Sequence, residues 1–187
     1  MDKDLALTIL DDLKSGERDR TKEARKLFYK LLHAHFDEIH GKKHGNEATG
    51  TMAFVRDECM ILCDSTDAKL RFAGLKGLNG IAFSGVFDEK IPELQDIFMN
   101  ALKDDNGHIR MIAANAIGYI RLPVIGGKKG RFTESMFVDL YLTLQGMFDL
   151  EKDRMKRRSI EQALANLCCP YLERLMLERG YSPAIGA

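Results

Sequence analysis

Three stretches of the chain share one helical signature: an Arg, five residues, a small residue, Leu or Ile, two residues, and a branched aliphatic. They read Arg71, Gly77, Leu78, Ile81; Arg110, Ala116, Ile117, Ile120; and Arg157, Ala163, Leu164, Leu167. At about 100° per residue, the positions six, seven and ten beyond each Arg gather on one face, and the Arg lies at its edge. There its stem can pack while its head pairs. The arginines stand 39 and 47 residues apart, the period of a two-helix unit repeated in tandem. Such a unit buries its apolar face only against a neighbour, so the expected fold is an all-α solenoid of about four helix pairs plus a terminal helix.

A first pair is expected over residues 5–39. Apolar residues fall at helical spacing from Leu5 to Leu13, Ser15-Gly16 breaks the run, and a longer helix from about Thr21 carries Ala24, Leu27, Phe28, Leu31, Leu32, Phe36 and Ile39 on one face. Leu31 here replaces the small residue of the signature. GKKHGNEATG, from Gly41 to Gly50, predicts a mobile connection. Helices are then expected over 51–63, 68–83, a stretch around Ile91–Leu102, a segment ending at Ile120, a segment capped by Thr133, 153–168, and a short one opened by Pro170. Residues 170–179 would cap the array, and 1–187 would form a single domain. No sustained alternation of a strand competes with this reading.

The segments 67–82 and 105–121 resemble the second helices of HEAT repeats, including the short repeats named after phycobilisome lyases. The resemblance covers residues 51–168 and implies a right-handed α-α superhelix. It also implies a ladder between neighbouring units, made by an Asp near the inter-helix turn and an Arg early in the second helix. The matching pairs are Asp67 with Arg71 and Asp105 with Arg110. Before Arg157, Lys152 stands in register with Asp105, and Asp153 is the substitute acid.

In such an array one face of each second helix stays open. The residues one, five and eight beyond each Arg point together: Phe72, Lys76 and Asn79; Met111, Asn115 and Gly118; Arg158, Gln162 and Ala165. This mixture of apolar, amide and basic side chains suits a protein-binding strip. A second surface comes from the glycine-rich loop and the helix start after it, with Lys128, Lys129, Arg131, Arg154, Arg157 and Arg158. It points to nucleic acid or another polyanion, as in the HEAT-like alkylpurine DNA glycosylases, although Glu134, Asp149 and Glu151 dilute the field. The loop lacks the GK[ST] ending of a nucleotide-binding loop.

His40-x3-His44 and Cys59-x3-Cys63 have the ligand types of a tetrahedral zinc site, but order and spacing invert the zinc-finger arrangement. Solvated histidines and buried thiols are the expectation, with no metal and no cofactor. Cys168-Cys169 could only make a strained adjacent disulfide, so reduced thiols are expected there. No nucleophile–base–acid set is recognisable.

The 28 basic and 28 acidic side chains cancel, so no whole-molecule field selects a charged partner. The N-terminus lacks the basic region and apolar core of a secretion signal, which points to the cytoplasm, and no stretch has the length of a membrane span. The function expected is a non-catalytic interaction or scaffold module holding another protein on its concave face. Polyanion binding and a HEAT-like lyase or glycosylase activity are the alternatives.

Overall fold

The computed structural model describes residues 1–41, 45–81, 91–120 and 134–181, and every regular element among them is an α-helix. In chain order these are α1 (Lys3–Ser15), α2 (Arg18–Ile39), α3 (Glu47–Cys63), α4 (Ala68–Ile81), α5 (Ile91–Ala101), α6 (Gly107–Ile120), α7 (Glu134–Leu150), α8 (Arg154–Leu167) and α9 (Pro170–Glu178). None is long and apolar enough to cross a membrane. The chain divides into two compact units, Met1–Phe87 and Asp88–Ala187.

One short turn recurs between the helices of each pair. Ser15, Ser65, Asp104 and Glu151 each accept, through the side chain, the amide N–H of the residue two further on: Glu17, Asp67, Asn106 and Asp153. Three of those four residues then cap the second helix. Asp67 accepts from the N–H of Lys69, Asn106 from that of His108, and Asp153 from those of Met155 and Lys156. Each such cap contributes about 1 kcal/mol. The capping residue lies four before Arg71, Arg110 and Arg157, whose own amides donate to its carbonyl.

In the first unit, α1–α2 and α3–α4 are hairpins packed on one another. Asp2 caps α1 by accepting from the Leu5 N–H, Ala6, Ile9, Leu10 and Leu13 form its buried stripe, and Gly16 at φ +68° ends it. The first helices run side by side in one direction: the Asp2 N–H donates to Thr51 Oγ1 at 2.8 Å near the start of α3, and Leu13 further along approaches the Cys59 region. The second helices do the same, with Phe28 of α2 against Gly80 of α4. Helix α3 begins at Glu47 rather than at Thr51, within the segment expected to be a mobile connection. Its cap comes from α2, where the Glu38 carboxylate accepts the N–H groups of Ala48 and Thr49 at 2.8 and 2.9 Å.

Two glycines set the approach of α3 to α4. A methyl group on Gly74 would lie 2.5 Å from the Cys59 carbonyl oxygen and 2.9 Å from Cys63 Sγ, and one on Gly77 would overlap Cys59 Sγ. The backbones therefore meet where only hydrogen fits, and this contact offsets the poor helix propensity of the two residues, about 1 kcal/mol each.

In the second unit, α6 packs on α5 and α8, and α7 packs on α8 and α9. Its core is built from Leu94, Phe98, Leu102, Ile109, Ile117, Phe137, Leu140, Tyr141, Leu144, Ile160 and Leu167, all nearly fully buried. Helices α6 and α8 run parallel. Asp105 pairs with Lys156, Arg110 with Ser159, and Ala114 with Asn166, so each step along one helix is matched by a step along the other. The positions six and seven beyond the Arg are buried in both, as Ala116 and Ile117 and as Ala163 and Leu164. Tyr171 of α9 donates its hydroxyl to Glu134 of α7, while Leu172, Leu175 and Met176 face inward.

Candidate functional site

The strip residues fall into two sets. Phe72, Lys76 and Asn79 lie half-buried on α4 of the first unit, while Met111, Asn115, Arg158 and Gln162 lie exposed on α6 and α8 of the second. On α4 the Lys76 ammonium sits 5.0 Å from the centre of the Phe72 ring. Desolvation, followed by repulsion from Arg25 of α2, lowers the pKa of Lys76 below the usual lysine range. In the second unit, Met111 keeps 55% of its surface in solvent, which is high for an apolar side chain on a well-packed helix. Gln162 donates to Asn166 Oδ1 at 3.0 Å, and Asn166 Nδ2 donates to the Ala114 carbonyl at 2.9 Å. A methyl on Gly118 would come 2.9 Å from Asn166 Cβ, so this glycine lets the amide ladder form between α6 and α8. Gly118 is buried and Ala165 exposed.

The ladder residues make bonds within and between helices. Arg71 Nη1 donates to the carbonyls of Ser65 and Thr66 at 3.1 and 2.9 Å, and Arg110 Nη1 to those of Asp104 and Asp105 at 2.7 and 3.0 Å. Both arginines thus clamp the carbonyls six and five residues back, closing the turn that feeds their own helix. Arg110, only 6% exposed, also reaches Ser159 on α8. The residue in register with Asp67 is Asn106. Asp105, one position earlier, instead sets its carboxylate 2.9 Å from Lys156 Nζ of α8. Arg157 departs from the other two: it is exposed, and its guanidinium stacks 4.3 Å over Phe148.

The start of α8 carries the described part of the basic cluster. Arg154, Arg157, Arg158 and Glu161 lie on one helical face and, with Phe148 and Met155, line an open concavity of about 430 Å³. Among the described residues none of the three arginines forms an ion pair. The positive end of α8 is already occupied by Asp153. Amide donation from Lys156, then from Met155, with the charges of Lys156 and Arg110, outweighs desolvation and holds that carboxyl below its ordinary pKa. An outside anion would therefore meet the arginine fork rather than the helix end. Lys128, Lys129 and Arg131 lie outside the described residues, as does Thr133.

Cys59 is fully buried between α3 and α4. Burial, then the neighbouring Cys63, drives its thiol far above the ordinary range, and burial pushes Cys63 up to about 12. Both are neutral thiols packed against Gly74 and Gly77, a poor starting point for thiolate ligation. His40 is exposed at the end of α2 with its ring stacked on Phe36, and His44 lies outside the described residues. Among the described residues no group of three or more His, Cys, Asp or Glu is placed to hold a metal ion. Cys168 and Cys169 are not joined in a disulfide, and burial raises the thiol of Cys168.

One polar cluster escaped sequence reasoning. His35, 4% exposed, places Nδ1 2.8 Å from Thr49 Oγ1, and that hydroxyl donates to Glu38 Oε2 at 2.9 Å. The hydroxyl has one proton and gives it to Glu38, so His35 Nδ1 carries the proton in this bond. Burial works against ionisation of Glu38, but the amides of Ala48 and Thr49, the Thr49 hydroxyl and His35 overcome it and lower the carboxyl pKa. This cluster joins α2 to α3, and only the Glu at the end of one helix and the threonine early in the next hint at it in the sequence.

Comparison of the chain with protein-family models, with curated proteins and with solved structures finds no match. The geometry alone offers binding chemistry: arginine forks, amide groups and exposed apolar side chains on adjacent second helices.

Proposed function

We propose that the protein is a non-catalytic interaction module built as a HEAT-like superhelix, and that it holds a partner protein on the exposed face of α6 and α8. The repeated turn and cap before Arg71, Arg110 and Arg157, and the parallel second helices inside each unit, support the repeat reading. The observation that carries the binding reading is the split of each second helix in the second unit. Positions six and seven beyond the Arg are sealed in the core, while Met111, Asn115, Arg158 and Gln162 stand in solvent beside one another's helices. An exposed methionine flanked by amides and an arginine has the composition of an interface centre. The test is affinity capture from the native cells with tagged wild type and with Met111→Glu/Arg158→Glu. A protein retained by the wild type and lost by the variant is expected, whereas an unchanged set of retained proteins refutes this face as the binding site.

A second reading is favoured by the three arginines of α8, which form no ion pair among the described residues. That face would bind a polyanion, such as a nucleic acid, with Lys128, Lys129 and Arg131, outside the described residues, adding charge from the preceding stretch of sequence. Retention on heparin that falls with salt, and falls further in Arg154→Glu/Arg158→Glu, is the expected signature. No retention at low salt removes it.

A further inference from the structure

Helix α2 carries a second feature, away from the strip and the α8 arginines. Arg18, Lys22, Arg25, Tyr29, His33, Phe36 and His40 follow one another at three- and four-residue steps, so they form a single flank along the whole helix. No acidic residue interrupts it. All but Phe36 are exposed, and Tyr29 keeps 62% of its surface in solvent. The core face of the same helix, with Ala24, Phe28, Leu31 and His35, is fully engaged. The flank is therefore left over after packing.

Two cations elsewhere on α2 have carboxylate partners. Arg20 pairs with Asp12 at 2.8 Å and Lys26 with Glu23 at 2.6 Å. Arg18, Lys22 and Arg25 form no ion pair among the described residues. Helix α4, parallel to α2 in the same unit, adds Lys76 near Arg25 and the Phe72 ring beneath it. Like charges are thus gathered rather than separated, and a bound anion would relieve that repulsion.

We propose that this flank of α2, extended by Lys76 and Phe72 of α4, is a binding surface for single-stranded nucleic acid. Three cations, Arg18, Lys22 and Arg25, are followed by the rings of Tyr29, His33, Phe36 and His40 along a rod of about 33 Å at 1.5 Å per residue. A cationic stretch continued by rings serves a strand whose phosphates need counter-charge and whose bases need stacking partners. A paired duplex hides its bases from rings such as Tyr29, so the rings favour an unpaired strand. An anionic membrane would want exposed aliphatic side chains on the flank, and α2 has none there. An acidic protein would satisfy the cations and leave the exposed tyrosine without a role.

The test measures fluorescence anisotropy of labelled oligo(dT) and oligo(U) of about 15 nucleotides with the full chain. Four engaged cations, Arg18, Lys22, Arg25 and Lys76, predict a slope of log affinity against log salt of about −3. Lys22→Glu/Arg25→Glu is expected to lower affinity at least tenfold and to reduce that slope to about half. Tyr29→Ala is expected to lower affinity about tenfold with the slope unchanged. All three positions are exposed, and Lys22→Gln/Arg25→Gln, checked by circular dichroism, serves should the charge reversal disturb folding. Four results would overturn the assignment: no binding at low salt; loss through Arg154→Glu/Arg158→Glu but not through the α2 variants; equal affinity for a poly-glutamate peptide or phosphatidylserine vesicles with Tyr29→Ala silent; or preference for duplex over single strand. Because the α6/α8 face is intact in the α2 variants, capture of a protein partner by those variants reports separately on the reading above.

Discussion

At the scale of single residues, the glycines divide by what surrounds them rather than by their common lack of a side chain. Gly77 stands where a small residue recurs in the signature, a place at which a neighbouring helix can approach closely. Gly74 shares with Gly77 a helix-propensity cost that close packing or a bend must offset, but nothing in its spacing says that the Cys59 carbonyl will lie opposite. Backbone cannot swing aside as a long side chain can, so Gly74→Ala should cost about 1–3 kcal/mol in overpacking against a propensity gain of about 1 kcal/mol. Gly146, inside α7, has nothing within 4 Å of an added methyl group, and Gly146→Ala should gain up to about 1 kcal/mol. Thermal unfolding of the two variants is expected to give a lower Tm for the first and a higher Tm for the second. A rise in both would show that α3 and α4 do not meet as closely as described.

At the scale of helices, existence and phase were readable and several boundaries were not. Apolar spacing finds the described helices, and Asp67 and Asp153 cap the starts of α4 and α8. The start of α3 moved because its capping oxygens belong to Glu38, ten residues upstream of Ala48. Glu38→Gln is expected to weaken the α2–α3 junction by about 1 kcal/mol at neutral pH, the ordinary worth of a cap. The pH dependence has a definite sign. Folding lowers this carboxyl's pKa, so its contribution is complete above the pKa of an unfolded glutamate and is lost as pH falls through the folded value. Denaturant unfolding between neutral and acid pH should therefore fall more steeply for wild type than for Glu38→Gln. Parallel curves would remove Glu38 from the cap.

At the scale of the whole molecule, charge is balanced in number but not in placement. With 28 basic and 28 acidic side chains, the protein carries almost no net charge near neutral pH. Self-repulsion is then weakest, and solubility should pass through a minimum near pH 7 and recover on either side. Light scattering of concentrated protein across pH 5 to 9 checks this, and a monotonic trend through neutrality contradicts it. Local placement still leaves the α8 arginines and the α2 flank as positive surfaces, which a net count of zero conceals. The period of the arginine signature led to paired helices, and each of the two compact units contains them, with second helices running parallel.

What the sequence determined by itself is the helical class, the pairing of helices through short capped turns, and the residues that face the core. These follow from the periodicity of the α-helix and from side chains bonding to backbone within a few residues, so no distant contact has to be known. Only the tertiary structure decided which cations keep a carboxylate partner, which cap reaches across from another helix, and why Asp105 meets Lys156 while Arg110 closes its own turn. Those outcomes depend on which side chains the packed helices bring within bonding distance, a matter of a few ångströms that linear spacing does not encode.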